Sequence, residues 1–242
     1  MSEKLTLWEH FEELRRRIFH SLIGFVVVFI FLSFFTKKIA NYIFFPYYKC
    51  LPDPSYQLSY TNISEIFFLY FKMVAVVSLF FSAPWFFYQI WLFISPALRK
   101  KEKKFAIPFI VLTSFFLMSG MLFAYFVVLP ATFNFFFELN KDYRNVVTAS
   151  SIWNFELIMI LAIGLSFETP LLIFFLSRLN LVSIKSLIKN VRWAILLAFI
   201  ISAVITPSGD PVTQTLVALP IVLLYFLGIL LSFIFPSSTK EE

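Results

Sequence analysis

Long apolar runs broken by short charged segments dominate the chain. They predict six membrane-spanning helices at about residues 18–35, 66–93, 105–129, 152–176, 191–205 and 212–235. Ahead of the first run, residues 2–17 are polar, but Leu5, Trp8, Phe11 and Leu14 recur every three residues. That spacing predicts an amphipathic helix at the membrane surface, with Trp8 suited to the interface. Arg15-Arg16-Arg17 followed by Ile18–Phe35 resembles a signal peptide. The run is long for a signal core, however, and it ends in Thr36-Lys37-Lys38 without small residues for cleavage, so it is read as a retained first span. Pro84 lies inside the second span and predicts a kink or division there. The fifth span is short: about 15 residues at ~1.5 Å each reach ~22 Å, against ~30 Å of hydrocarbon. Residues 36–65 and 130–151 are read as external segments, 94–104 and 177–190 as basic loops, and Thr206–Pro211 as a tight turn.

Composition supports a membrane protein. Of 242 residues, 60% are hydrophobic and 14% charged, and there are 35 Phe. Mean hydropathy is +0.85. Soluble domains carry about 25% charged residues, so lipid must cover much of this surface. Apolar runs of this length argue against a β-barrel. Fourteen of the 20 basic residues fall on one side of the proposed spans: Lys4, Arg15–Arg17, Arg99, Lys100, Lys101, Lys103, Lys104, Arg178, Lys185, Lys189, Arg192 and Lys240. An excess of Lys and Arg marks the cytoplasmic side, which places both termini there. The net charge of +6 follows from this topology and does not call for a nucleic-acid partner.

Candidate chemistry is sparse. Two histidines (His10 and His20), one cysteine (Cys50) and five glycines in no phosphate-loop pattern leave no metal site, no cofactor and no catalytic residue. Glu168, followed by Pro170, lies deep in the fourth span. An ionisable group at the bilayer centre costs about 2.5–3.5 kcal/mol on insertion scales and marks a functional site or a packing contact satisfied by a neighbouring helix. Glu13 and Glu102 sit inside strongly basic stretches. They offer carboxylates for two guanidiniums, or simply pair with their neighbours on the surface. Asp210 and Gln214 share a helix face at the start of the sixth span, where Asp210 also suits an N-cap. A small ion-coupled transporter using Glu168 as proton carrier remains an alternative.

Several motifs together resemble the TatC family of twin-arginine translocase subunits. They are His10-Phe11-Glu12-Glu13-Leu14-Arg15-Arg16-Arg17; Pro46; Glu65, Phe67 and Lys72; Pro84; Tyr88 through Leu98, then Glu102; Gly120, Phe123, Tyr125 and Pro130; Phe167-Glu168 with Pro170; Arg192; and Thr206-Pro207, Asp210, Gln214 and Pro220. Arg99 and Thr169 depart from the family's usual residues. The resemblance implies an all-α, concave scaffold with both termini cytoplasmic and two short C-terminal spans. It implies a receptor for twin-arginine signal peptides of folded precursors, with Glu13, Glu102, Arg15, Arg17 and Phe93 at the binding face. Glu168, Asp210 and Gln214 are then implied as an intramembrane site for the single-span partners TatA and TatB, and Pro46, Glu65, Lys72 and Pro84 as structural or functional loop positions. Export would draw on the proton gradient, in the bacterial inner membrane, with self-association of the subunit.

Overall fold

The computed structural model describes residues 7–51, 58–95, 106–139, 147–206 and 209–235. Glu102 and Pro207 lie outside them, as do residues 2–6 of the expected surface helix. Twelve α-helices and one π-helical stretch make up the described residues: α1 Leu7–Ser33, α2 Thr36–Ile43, α3 Phe45–Cys50, α4 Ile63–Phe81, α5 Ala83–Ile94, α6 Ala106–Phe123, the π stretch Ala124–Val128, α7 Leu129–Leu139, α8 Ala149–Ser166, α9 Thr169–Arg178, α10 Ile184–Lys189, α11 Val191–Ile205 and α12 Pro211–Ile234. Among the described residues, extended pairing is confined to one bridge between Ser59 and Thr148. Among the described residues, five stretches are long and apolar enough to cross a membrane: His10–Ser33, Ser64–Phe81, Ile107–Leu139, Ala149–Arg178 and Pro211–Ile234.

Several boundaries differ from the sequence reading. α1 runs unbroken from Leu7 to Ser33, so no break separates a surface helix from the first span. The charges at Arg15–Arg17 mark a change of solvent, which helix hydrogen bonds do not register. The third span does not stop at Leu129. Pro130 has no N–H to donate, so the backbone widens by one residue, Leu129 N–H reaches back to the Ala124 carbonyl, and the helix continues to Leu139. Residues 130–139, read as an external segment, are therefore helical. The basic loop 177–190 contains the short helix α10, capped by the Ser183 side chain. Of the two C-terminal helices expected to be short, α11 has 15 residues but α12 has 24. At ~1.5 Å per residue α12 reaches about 36 Å, enough to cross a bilayer. The break expected at Pro84 is present: α4 ends at Phe81 and α5 begins at Ala83, with Pro84 in its first turn, where a missing N–H costs nothing.

The chain divides into two units: residues 1–42 with 63–115, and residues 43–62 with 116–242. In the first unit α1 packs on α4 and α5, and Met73, Val74, Ser78, Ala83, Gln89 and Trp91 are buried. In the second unit α12 packs against α9 and α11, α3 against α7, and α8 against the π stretch. Its buried set includes Ala124, Val128, Leu129, Phe133, Trp153, Met159, Ile163 and Val217. Many large apolar side chains point outward, as a lipid-facing surface requires; Phe19, Val27, Phe67, Phe115, Leu165 and Leu219 are among them.

Candidate functional site

In the first unit α1 and α5 run antiparallel along one seam. His10 stacks on Phe93 with ring centroids 4.4 Å apart. Arg17 Nη1 points to Gln89 Oε1 at 3.5 Å. Trp85 Nε1–H donates to the His20 carbonyl at 2.8 Å. A methyl group on Gly24 would overlap Trp85 Cδ1, so glycine lets the indole cross α1 closely. This register places Glu13 between the His10–Phe93 stack and the Arg17–Gln89 contact. The Glu13 carboxylate accepts from Arg17 Nη2 at 3.2 Å, four residues away on the same helix face. The Arg15 guanidinium lies over Phe19 at 5.8 Å from the ring centroid.

The structure thus gathers Glu13, Arg17 and Phe93 on one seam, and adds His10 and Gln89, which had not been singled out as site residues. Gln89 is a buried amide in an apolar helix, and that is the signal that marks it. Arg15 sits on the exposed side of the same helix. Glu65 and Lys72 lie seven residues apart on α4, and Pro84 opens α5.

The second unit holds the remaining candidates. Glu168 occupies the break between α8 and α9, with Pro170 in the first turn of α9. Its side chain is buried, and Oε1 has no hydrogen-bond partner. Asp210 caps α12: its carboxylate accepts the Thr213 N–H at 2.8 Å and the Thr213 hydroxyl. Gln214 Nε2 donates to the Phe199 carbonyl at 3.0 Å, tying α12 to α11. Glu168 is not gathered with these two. Pro170 lies against Gly228 of α12, and Gly228 is 18 residues from Asp210, about 27 Å along a helix axis. Pro46 is buried at the start of α3.

The sequence reading passed over Glu156. It is fully buried in α8, and neither carboxyl oxygen has a partner. An acid between Phe155 and Leu157 in an apolar helix is a legible signal, by the same reasoning that singled out Glu168. No group of three or more His, Cys, Asp or Glu able to hold a metal ion occurs among the described residues.

Comparison with known proteins matches nearly the whole chain. The family model described as Sec-independent protein translocase protein (TatC) matches residues 9–220. The TatC protein of Koribacter versatilis is 34% identical over 240 residues, covering 98% of this chain and 89% of the relative. That of Escherichia coli strain K12 is 35% identical over 224 residues, covering 92% and 86%. Two crystal structures of the twin-arginine translocase receptor TatC superpose with TM-scores of 0.80 and 0.83 at 31% identity. They cover 93% and 92% of this chain and 98% of each solved chain. This multi-span, all-α chain belongs to the TatC family of Sec-independent protein translocase proteins.

Proposed function

We infer that the α1–α5 seam is where this translocase receptor takes hold of a twin-arginine signal peptide. Members of the family serve as the non-enzymatic receptor and scaffold of twin-arginine translocation, driven by the proton gradient, and they work in the membrane with signal peptides, TatA and TatB. The observation that carries the reading is the seam itself: Glu13 stands between the His10–Phe93 stack and the Arg17–Gln89 contact, on a helix that also carries Arg15, Arg16 and Arg17. A carboxylate beside an aromatic ring suits a guanidinium, which pairs with the first and stacks on the second. Glu13 already holds Arg17, so an incoming arginine exchanges one guanidinium for another at low cost. Glu102 supplies the second carboxylate. Lys in place of Arg loses the planar, two-pronged donor.

Six spans, counting α11, and cytoplasmic termini complete the proposal. The 15-residue α11 crosses where the bilayer is thinned or where partner helices shelter it. Glu168, Asp210 and Gln214 face TatA and TatB, and copies of the subunit self-associate. Family membership gives no support to the alternative of a small ion-coupled transporter working through Glu168. A photoreactive probe at position 102 tests the recognition claim. It is expected to capture a twin-arginine signal and to lose it when both signal arginines become lysine; equal capture of the two refutes recognition.

A further inference from the structure

Glu156 has no part in the reading above. It lies 12 residues before Glu168, about 18 Å along the helix axis, and so belongs to a different place. Both of its carboxyl oxygens are buried without a partner, and three other polar atoms of the same unit share that condition: Trp153 Nε1, Thr132 Oγ1 and, at the α8–α9 break, Glu168 Oε1. Trp153 stands three residues before Glu156 on α8, on the same face.

The helix ending in α7 runs antiparallel to α8. Phe167 presses on Gly120, Met121 on Gly164, and Phe133 and Phe136 both meet the ring of Phe155. That register sets Thr132 level with Glu156. Three unsatisfied polar groups thus occupy one height of a membrane-embedded helix pair, and all three side chains are buried. Buried polar groups in proteins are paired, and in hydrocarbon the need is greatest.

The chemistry of the three groups selects the guest. The carboxyl oxygens accept, the indole N–H only donates, and the hydroxyl does both. An apolar guest satisfies none of them. An anion finds no cation among the three groups to offset its burial in hydrocarbon. A metal cation leaves the indole N–H without an acceptor. Water both donates and accepts, and a buried water commonly makes about three hydrogen bonds. We propose that Thr132, Trp153 and Glu156 form an internal water-binding site between α7 and α8, separate from the break at Glu168.

X-ray radiolytic labelling of the full chain in lipid nanodiscs tests this, because hydroxyl radicals formed from a bound water oxidise the side chains beside it. Trp153 is expected to be oxidised several-fold faster than Met73, an intrinsically reactive side chain that is fully buried in the first unit. Glu156→Gln, which keeps the hydrogen-bonding groups, should retain the label. The double variant Thr132→Val with Glu156→Leu should bring Trp153 down to the Met73 rate. Where that double variant fails to fold, Thr132→Val alone must lower the rate. Labelling of wild-type Trp153 at the Met73 rate, or labelling that survives loss of both polar groups, overturns the proposal. So does labelling that depends on sodium, which would assign the site to a cation.

Discussion

Gly120→Ala probes the packing that holds the α8–α9 break in place. A methyl group at Gly120 would lie 2.6 Å from Phe167 Cγ, 2.7 Å from Cβ and 2.8 Å from Cδ2. Carbon atoms in contact prefer about 3.5–4.0 Å, so the shortfall is about 1 Å. Turning the ring about Cβ–Cγ moves only Cδ2; Cγ shifts only if the whole side chain swings about χ1, and Cβ is fixed to the backbone. That backbone is itself held, because the Phe167 N–H donates to the carbonyls of Ile163 and Gly164. Overpacking costs about 1–3 kcal/mol, and a misfit against backbone-fixed carbon belongs at the upper end. Replacing glycine in a helix returns about 1 kcal/mol. The net loss is about 2 kcal/mol, or a factor of about 30 in the folding equilibrium. Reversible unfolding in mixed micelles measures it. In a Phe167→Ala background, where two of the three close contacts are gone, the loss should shrink. A Gly120→Ala protein as stable as the parent, or a penalty unchanged by Phe167→Ala, would refute the reasoning.

Asp210→Ala should cost about 1 kcal/mol in the same assay, through loss of the cap on α12, while Asp210→Asn keeps most of it. Cys50, outside the spans, has its thiol pushed above the usual range by burial, which Lys49 only partly opposes. The thiolate is the reactive form, so maleimide labelling at neutral pH should be slower than for a free cysteine and keep rising at pH values where the free thiol has levelled off; equal rates and equal pH profiles would contradict this. Glu13→Gln should change stability by less than about 1 kcal/mol, because the pair with Arg17 is partly exposed, yet weaken capture of a twin-arginine signal. A stability loss with capture intact would make the pair structural. Glu168→Gln should keep signal binding and impair export of a folded reporter, and unchanged export would make Glu168 a packing residue.

Much of the fold is legible because span length and apolarity depend on the solvent, which is uniform across the bilayer core. The break near Pro84 and the bounds of α11 follow from local residues. What was misread involves helices that pass through expected stops. Pro130 looks like a terminator, yet the π stretch absorbs it. Arg15–Arg17 look like a boundary, yet only the surroundings change there. Glu156 escaped notice because it stands within one turn of the expected start of the fourth span, where a long side chain can reach the interface; α8 begins earlier and turns the residue inward. The seam of α1 and α5 is a tertiary pairing between segments more than 60 residues apart, as in Trp85 with His20, and no local pattern encodes it.

The two proline breaks show which polar groups are structural. Before Pro84, Ser78 donates to the Val74 carbonyl at 2.6 Å, and Ser82 to those of Ser78 and Leu79 at 2.8 and 3.0 Å. Before Pro170, Ser166 donates to the Ala162 carbonyl at 2.6 Å. In both places serine hydroxyls bond back onto the preceding turn, a device that bends helices while leaving the hydroxyl satisfied. The first break is complete with nothing more. The second uses the same parts and carries Glu168 as well, with Oε1 unspent. Since serine and proline suffice to divide a helix in the first unit, the kink in the second does not require the glutamate. A carboxyl that the backbone does not need, placed where its burial is costly, fits the proposal that Glu168 serves a partner from outside the chain.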